Sequence, residues 1–305
     1  MADNHTNANS SALLDAGSVS FKCLKPLESC VMVGNVISFF INTFHLWVIS
    51  QLGTLKGTPY CYVLINITLA DILYNVASII FYSCYEFFIV NLNYGEPELR
   101  APIRIVTLCS HYVGFHVFLL ASMEKYLAIC TPFSYESSVI IRRLPVNFVL
   151  VWLYIFSLST VLTLTEVLNL TPWMNSAGNV VILTICFAVT PNTLSGTLLI
   201  KVYRELKRMR NRSQNSSDND GKTKTSMYLI IIFTLEIIVF LLNSICVITL
   251  YTTGESVLCH IWNAFIKAPC TILNAVIYGW RTQSYRQHVR RVFGCNRSQI
   301  GNVEG

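Results

Sequence analysis

The chain has 305 residues, of which only 12% are charged and 53% are hydrophobic, and its mean hydropathy is +0.51. Soluble chains carry about 25% charged residues, so this composition excludes an ordinary water-facing globular surface, and the net charge of +6 reads as membrane topology rather than a nucleic-acid footprint. No metal-ligand spacing, nucleophile motif or phosphate loop marks an enzyme.

Residues 1–30 form an expected extracellular tail whose first 20 residues are polar, with glycosylation acceptors at Asn4-His5-Thr6 and Asn9-Ser10-Ser11. They hold no basic start followed by an apolar run, so the first span is expected to serve as its own insertion signal. Seven apolar stretches follow, at 31–52, 60–88, 102–130, 146–168, 180–203, 226–251 and 257–280. Each is long enough to cross a hydrocarbon core of about 30 Å as a helix that pairs its own backbone groups. The sequence therefore predicts an all-α membrane protein, a seven-transmembrane helix bundle over 31–280 with an amphipathic eighth helix and short tail over 281–305.

The linker 204–224 starts basic and then loses all apolar residues. It reads either as a solvated connection or as a docking segment with phosphorylation acceptors Ser213, Ser216 and Ser217. Beyond the seventh span, Tyr285, Val289, Val292 and Phe293 recur on one helical face among basic residues, as in a helix lying on an anionic membrane surface. Seventeen of the 22 basic residues fall in the connections after the first, third and fifth spans and after the seventh; four fall on the other side, and Lys267 lies within a span. The positive-inside rule then puts the N-terminus outside and the C-terminus in the cytoplasm.

The third span ends in Glu124-Lys125-Tyr126-Leu127-Ala128-Ile129-Cys130-Thr131-Pro132-Phe133-Ser134-Tyr135. This segment resembles the signature at the inner end of the third helix in rhodopsin-like (class A) G-protein-coupled receptors. Leu69-Ala70-Asp71 with Asn42, the single Trp152, Pro191, Asn274-Ala275-Val276-Ile277-Tyr278 and Tyr285 resemble further landmarks of that family, in its order and spacing. The resemblance implies a plasma-membrane receptor that binds an extracellular small-molecule, lipid or peptide ligand among the third, fifth, sixth and seventh spans. Its implied inner partners are a heterotrimeric G protein and arrestin, with Glu124, Lys125, Tyr126, Pro132, Tyr135 and Tyr278 as coupling and switch residues. Cys295 stands where the family carries a palmitoyl anchor, the alternative being a reduced thiol.

The departures from the family fall on the moving parts. Lys125 replaces the arginine that contacts the G protein, Ala275 replaces a proline, Leu199 replaces a tyrosine, and the sixth span has neither proline nor tryptophan. The expectation is a weak ionic latch, basal activity, and sixth and seventh helices straighter than the family's.

Asp71 is expected to form a polar cluster with Asn42 and Asn274. The alternative is a sodium site, although Gly114 and Cys270 stand at the family's neighbouring oxygen positions. Lys267 raises an opsin-like alternative, in which it would hold retinal as a Schiff base. It lies seven residues before Asn274 rather than six, a rotation of about 100°. Otherwise Lys267, Glu86, Glu166 and Glu236 are candidates for the ligand pocket. The family's bond from helix three to the second outer loop has no cysteine in 169–179 to make it, which leaves a bridge from the N-terminus to Cys259 or one between Cys23 and Cys30. A short loop without that bond resembles the melanocortin, cannabinoid and lysophospholipid receptor group. The competing function classes are a non-signalling decoy or scaffold, suggested by Lys125 and Ala275, and a transporter, which predicts an inverted repeat.

Overall fold

A computed structural model of the protein describes residues 6–53, 57–84, 96–167, 188–212, 234, 237–238, 256–281 and 283–294. Among the described residues there is no strand. The helices are α1 (Thr6–Gln51), α2 (Pro59–Cys84), α3 (Glu96–Cys130), α4 (Pro132–Tyr135), α5 (Val139–Arg142), α6 (Leu144–Val167), α7 (Thr190–Arg212), α8 (Ser256–Arg281) and α9 (Gln283–Val292). Four of them are long and apolar enough to cross a membrane, over Ser29–Gln51, Pro59–Ser83, Ala101–Cys130 and Leu144–Leu164. These match the first four stretches expected from composition to within a few residues.

α7 covers the second half of the fifth expected stretch. α8 covers the seventh, with an apolar portion at Phe265–Ile277. Most of the sixth lies outside the described residues. The tail expected ahead of the first span is, from Thr6 onward, part of the same helix as that span.

α3 is the central helix, packing against α2, α6 and α7, while α1 lies against α2 and α8. α9 returns to touch both α8 and α1. Burial is inverted relative to a soluble protein. Val33, Ile37 and Phe40 of α1 and Val149, Leu153 and Phe156 of α6 are exposed, whereas Asn35, Ser38, Asn42 and His45 of α1 and Asp71, Asn75 and Ser78 of α2 are buried. Apolar side chains facing outward and polar ones facing each other are what a lipid surround favours. The apolar core is continuous beneath the polar seam: Leu64 and Ile67 of α2, Val113, Val117 and Phe118 of α3, and Phe148 and Ile155 of α6 form one cluster.

Trp152 of α6 fastens that core sideways. Its indole Nε1 donates to Asn66 Oδ1 on α2 at 2.8 Å, and the Asn66 amide donates to the Tyr62 carbonyl at 2.7 Å.

Pro132 sets the end of α3. Proline has no N–H to continue the ladder, so the last bond is Thr131 N to Leu127 O at 3.2 Å, and α4 begins with Pro132 itself. Pro269 corrects an expectation. It lies inside α8, so the seventh expected stretch does contain a missing backbone donor, although Ala275 occupies the site where the resemblance would place one. The carbonyl four residues earlier, that of Phe265, loses its helical partner there, which makes this the place where α8 can bend.

The junction of α8 and α9 depends on a glycine. A Cβ added at Gly279 would lie 2.6 Å from Tyr285 Cε1 and 3.0 Å from Cζ, so the absence of a side chain is what lets the Tyr285 ring lie across α8. The ring then meets His45 of α1, with Nδ1 and Oη 3.0 Å apart and centroids 5.2 Å apart. Trp47 against His288 and Phe44 against Phe293 extend the seam between α1 and the α9 segment.

Candidate functional site

Two polar centres stand out. The first lies at the Cys130 end of α3. Glu124 is buried at 5% exposure, and each of its oxygens has a partner: Tyr135 Oη donates to Oε1 at 3.1 Å, and Lys125 Nζ lies 2.7 Å from Oε2. Tyr135 reaches it because Pro132 starts α4 and turns the chain back under α3. Burial first, and then the adjacent Glu124 carboxylate, push the Tyr135 hydroxyl from its ordinary 10 up to about 12. Next to this pair the Lys201 ammonium of α7 sits over the Tyr126 ring, 5.7 Å from its centroid. The structure thus brings Glu124, Lys125, Tyr126 and Tyr135 together, with Pro132 as the residue that shapes the return. Lys201 was not singled out from sequence. Its signal was there, because Lys201 stands between Leu199-Ile200 and Val202-Tyr203, a basic residue among apolar ones.

Chemically, this centre is a charge pair that can open. The Lys125 side chain is 18% exposed, so its ammonium is reachable from the end of the bundle. An ammonium makes a compact point contact with one carboxylate oxygen and leaves the other to the tyrosine, where a guanidinium would span both.

The second centre is the seam among α1, α2 and α8. Ser38 Oγ and Thr271 Oγ1 share a hydrogen bond, and Asn75 donates to Ser38 Oγ at 3.0 Å. Asn42 donates to the Ser38 carbonyl at 3.0 Å and to the Thr271 carbonyl at 3.5 Å. Asn274 donates to Asp71 Oδ2 at 3.5 Å. Of the expected trio, Asp71 and Asn274 meet directly, and Asn42 is held by Ser38 and Thr271. Sequence reasoning missed Ser38, Asn75 and Thr271. The spacing of Asn35, Ser38, Asn42 and His45 along α1 carried the signal of a polar face.

Gly114 and Cys270 are the positions at which the resemblance expects oxygen ligands of a sodium ion; a Cβ at Gly114 would meet nothing within 4 Å, and Cys270 is buried. Lys267 is buried at 6% exposure, with its ammonium 5.8 Å from the centroid of the Tyr74 ring. Cys30, one of the three cysteines expected to make an outer bridge, is a free and exposed thiol on α1.

The remaining expectations fall outside the described residues: Glu86, Glu236, Asn4, Cys295, the linker serines, and the side chains of Glu166, Tyr278, Cys23, Cys259 and Asn9. No family model matches the chain, and no curated protein matches it.

Proposed function

We propose that the chain is a rhodopsin-like G-protein-coupled receptor of the plasma membrane, with seven spans and the N-terminus outside. An extracellular small-molecule, lipid or peptide ligand shifts it towards a state that promotes nucleotide exchange on a heterotrimeric G protein. The observation that carries this reading is the Glu124 centre. A buried carboxylate at the end of the central helix is held by Lys125 and by Tyr135 from the return segment, and the flanking Tyr126 is covered by Lys201.

In this reading the Glu124 pair marks the resting state, and Lys125 is the group released towards the G protein. A ligand drives the change only by as much as it binds the released state better than the resting one. The test is recruitment of G protein in cells without ligand, normalised to surface protein. Expression should raise recruitment above that of untransfected cells, Lys125→Ala should reduce it several-fold, and Asp71→Asn should change it. A surface-expressed chain that recruits no G protein in any of these forms refutes the receptor and leaves a decoy or scaffold.

A further inference from the structure

Residues 131–143 join two membrane-capable stretches, Ala101–Cys130 of α3 and Leu144–Leu164 of α6. The connection holds only α4 and α5, each a single helical turn. A turn rises about 5.4 Å, so with both ends pinned by crossing helices the connection stays within roughly 10 Å of the hydrocarbon edge. Phe133 is the third residue past the α3 stretch and the most exposed large hydrophobic side chain among the described residues, at 100%. Val139, which opens α5, is 66% exposed.

The segment around them is tied down. Tyr135 Oη donates to Glu124 Oε1 at 3.1 Å, Arg142 Nε donates to the Glu136 carbonyl at 2.8 Å, and Asn147 Nδ2 of α6 donates to the Ile140 carbonyl at 3.0 Å. These bonds turn Tyr135 towards α3 and leave Phe133 and Val139 facing away from the protein. An aromatic ring held in water forfeits the stabilisation that burial brings, so a cover is favoured. The exposed apolar surface runs on into α6 at Val146 and Val149, where lipid is the surround that the span calls for. Charge points the same way: Arg142 and Arg143 are exposed, Glu136 is the one acid in 131–143, and neither arginine forms an ion pair among the described residues.

We propose that the 132–143 segment is an interfacial anchor for an anionic lipid surface. Phe133 and Val139 enter the acyl boundary of the bilayer, while the guanidinium groups of Arg142 and Arg143 reach out to anionic headgroups beside them. The anchor rests on α3 and α6 crossing the bilayer and is independent of coupling to a G protein. Its position gives the membrane a hold on the Glu124 centre, because Tyr135 lies between the two inserted side chains and bonds Glu124. Lipid charge at this surface thereby becomes an input to that centre.

The experiment replaces Phe133, Glu136 or Leu153 singly by the photo-crosslinking residue p-benzoylphenylalanine in the full chain. Each form is reconstituted in vesicles of phosphatidylcholine, alone or mixed equally with phosphatidylserine, and lipid adducts are measured by mass spectrometry after irradiation. Leu153, exposed on α6, reports the crossing of the bilayer, and Glu136 reports the aqueous side of the segment. Adducts at position 133 should reach at least half the level at 153 and exceed those at 136 several-fold. In the mixed vesicles phosphatidylserine should be over-represented among the 133 adducts, and Arg142→Gln with Arg143→Gln should return it to its share of the bilayer. Labelling at 153 with no more at 133 than at 136 would overturn the anchor alone, and an absence of lipid adducts at both would overturn the crossing with it. An unenriched phosphatidylserine share would overturn the part assigned to the arginines. Capture of an added purified heterotrimeric G protein by position 133, with no lipid adduct in its absence, would give the surface to that protein and overturn the proposal.

Discussion

Replacing Gly279 by alanine tests whether the α9 segment is locked to the bundle through the Tyr285 ring. In a helix the change alone stabilises by up to about 1 kcal/mol. Here the new Cβ would sit 2.6 Å from Tyr285 Cε1, roughly 1 Å inside ordinary contact, so the ring has to withdraw by about that much. The Tyr285 hydroxyl then moves out of reach of His45 Nδ1, now at 3.0 Å, because beyond about 3.5 Å the bond no longer holds. Crowding costs about 1–3 kcal/mol and the lost bond about 1 kcal/mol. The net is a destabilisation of about 1–3 kcal/mol, or a fall in Tm of roughly 2–6 °C. The assay is thermal unfolding of Gly279→Ala in the wild-type and Tyr285→Leu backgrounds. With the ring removed, the alanine should be neutral or stabilising. Stabilisation in the wild-type background, or the same loss in both, would refute the role assigned to the ring.

Other outcomes follow from the same geometry. Tyr135 and Tyr285 both have hydroxyls raised from 10 to about 12, the latter by burial alone. Their stabilisation is complete below pH 10 and is lost as pH climbs towards 12; unfolding measured across that window should show falling stability, less steeply in Tyr285→Phe. Trp152→Phe removes the 2.8 Å bond to Asn66 while keeping an aromatic ring, and should lower Tm by about 1–2 °C, given roughly 0.6–1 kcal/mol for a hydrogen bond between spans. Lys125→Arg offers Glu124 a forked donor in place of a point charge, and in the receptor reading should reduce ligand-independent recruitment about two- to five-fold. Unchanged basal and stimulated signalling would sink the weak latch.

What could be read from the amino-acid order differed by length scale. Four membrane-capable helices were legible as unbroken apolar runs bounded by Pro59, Thr131-Pro132 and Leu144-Pro145, because hydrocarbon thickness and proline chemistry act locally. Glu124 and Tyr135 were legible as members of one motif, but the bond between them, across 11 residues and a turn, was not. The polar seam was less legible. Asn42, Asp71 and Asn274 were expected to cluster, but whether Ser38 meets Thr271 depends on how α1 and α8 are rotated, which the polar spacing along α1 does not give by itself. Pro269 was visible and went unweighted beside Ala275. Gly279 carries no sign of its own, since its meaning comes from a tyrosine six residues on that folds back over it.

The α1 seam also has a consequence in time. Ser38 and Thr271 are 233 residues apart, and at about 5–20 residues per second of synthesis the first span exists for roughly 10–50 s before its partner in α8 is made. During that interval its polar side chains face lipid or the insertion machinery. Two of them already have an answer within their own helix: Asn35 donates to the Val31 carbonyl and Asn42 to the Ser38 carbonyl, each at 3.0 Å. α1 can therefore wait in the membrane with an amide donor of each asparagine provisionally satisfied, and Ser38 becomes the contact that registers the arrival of α8.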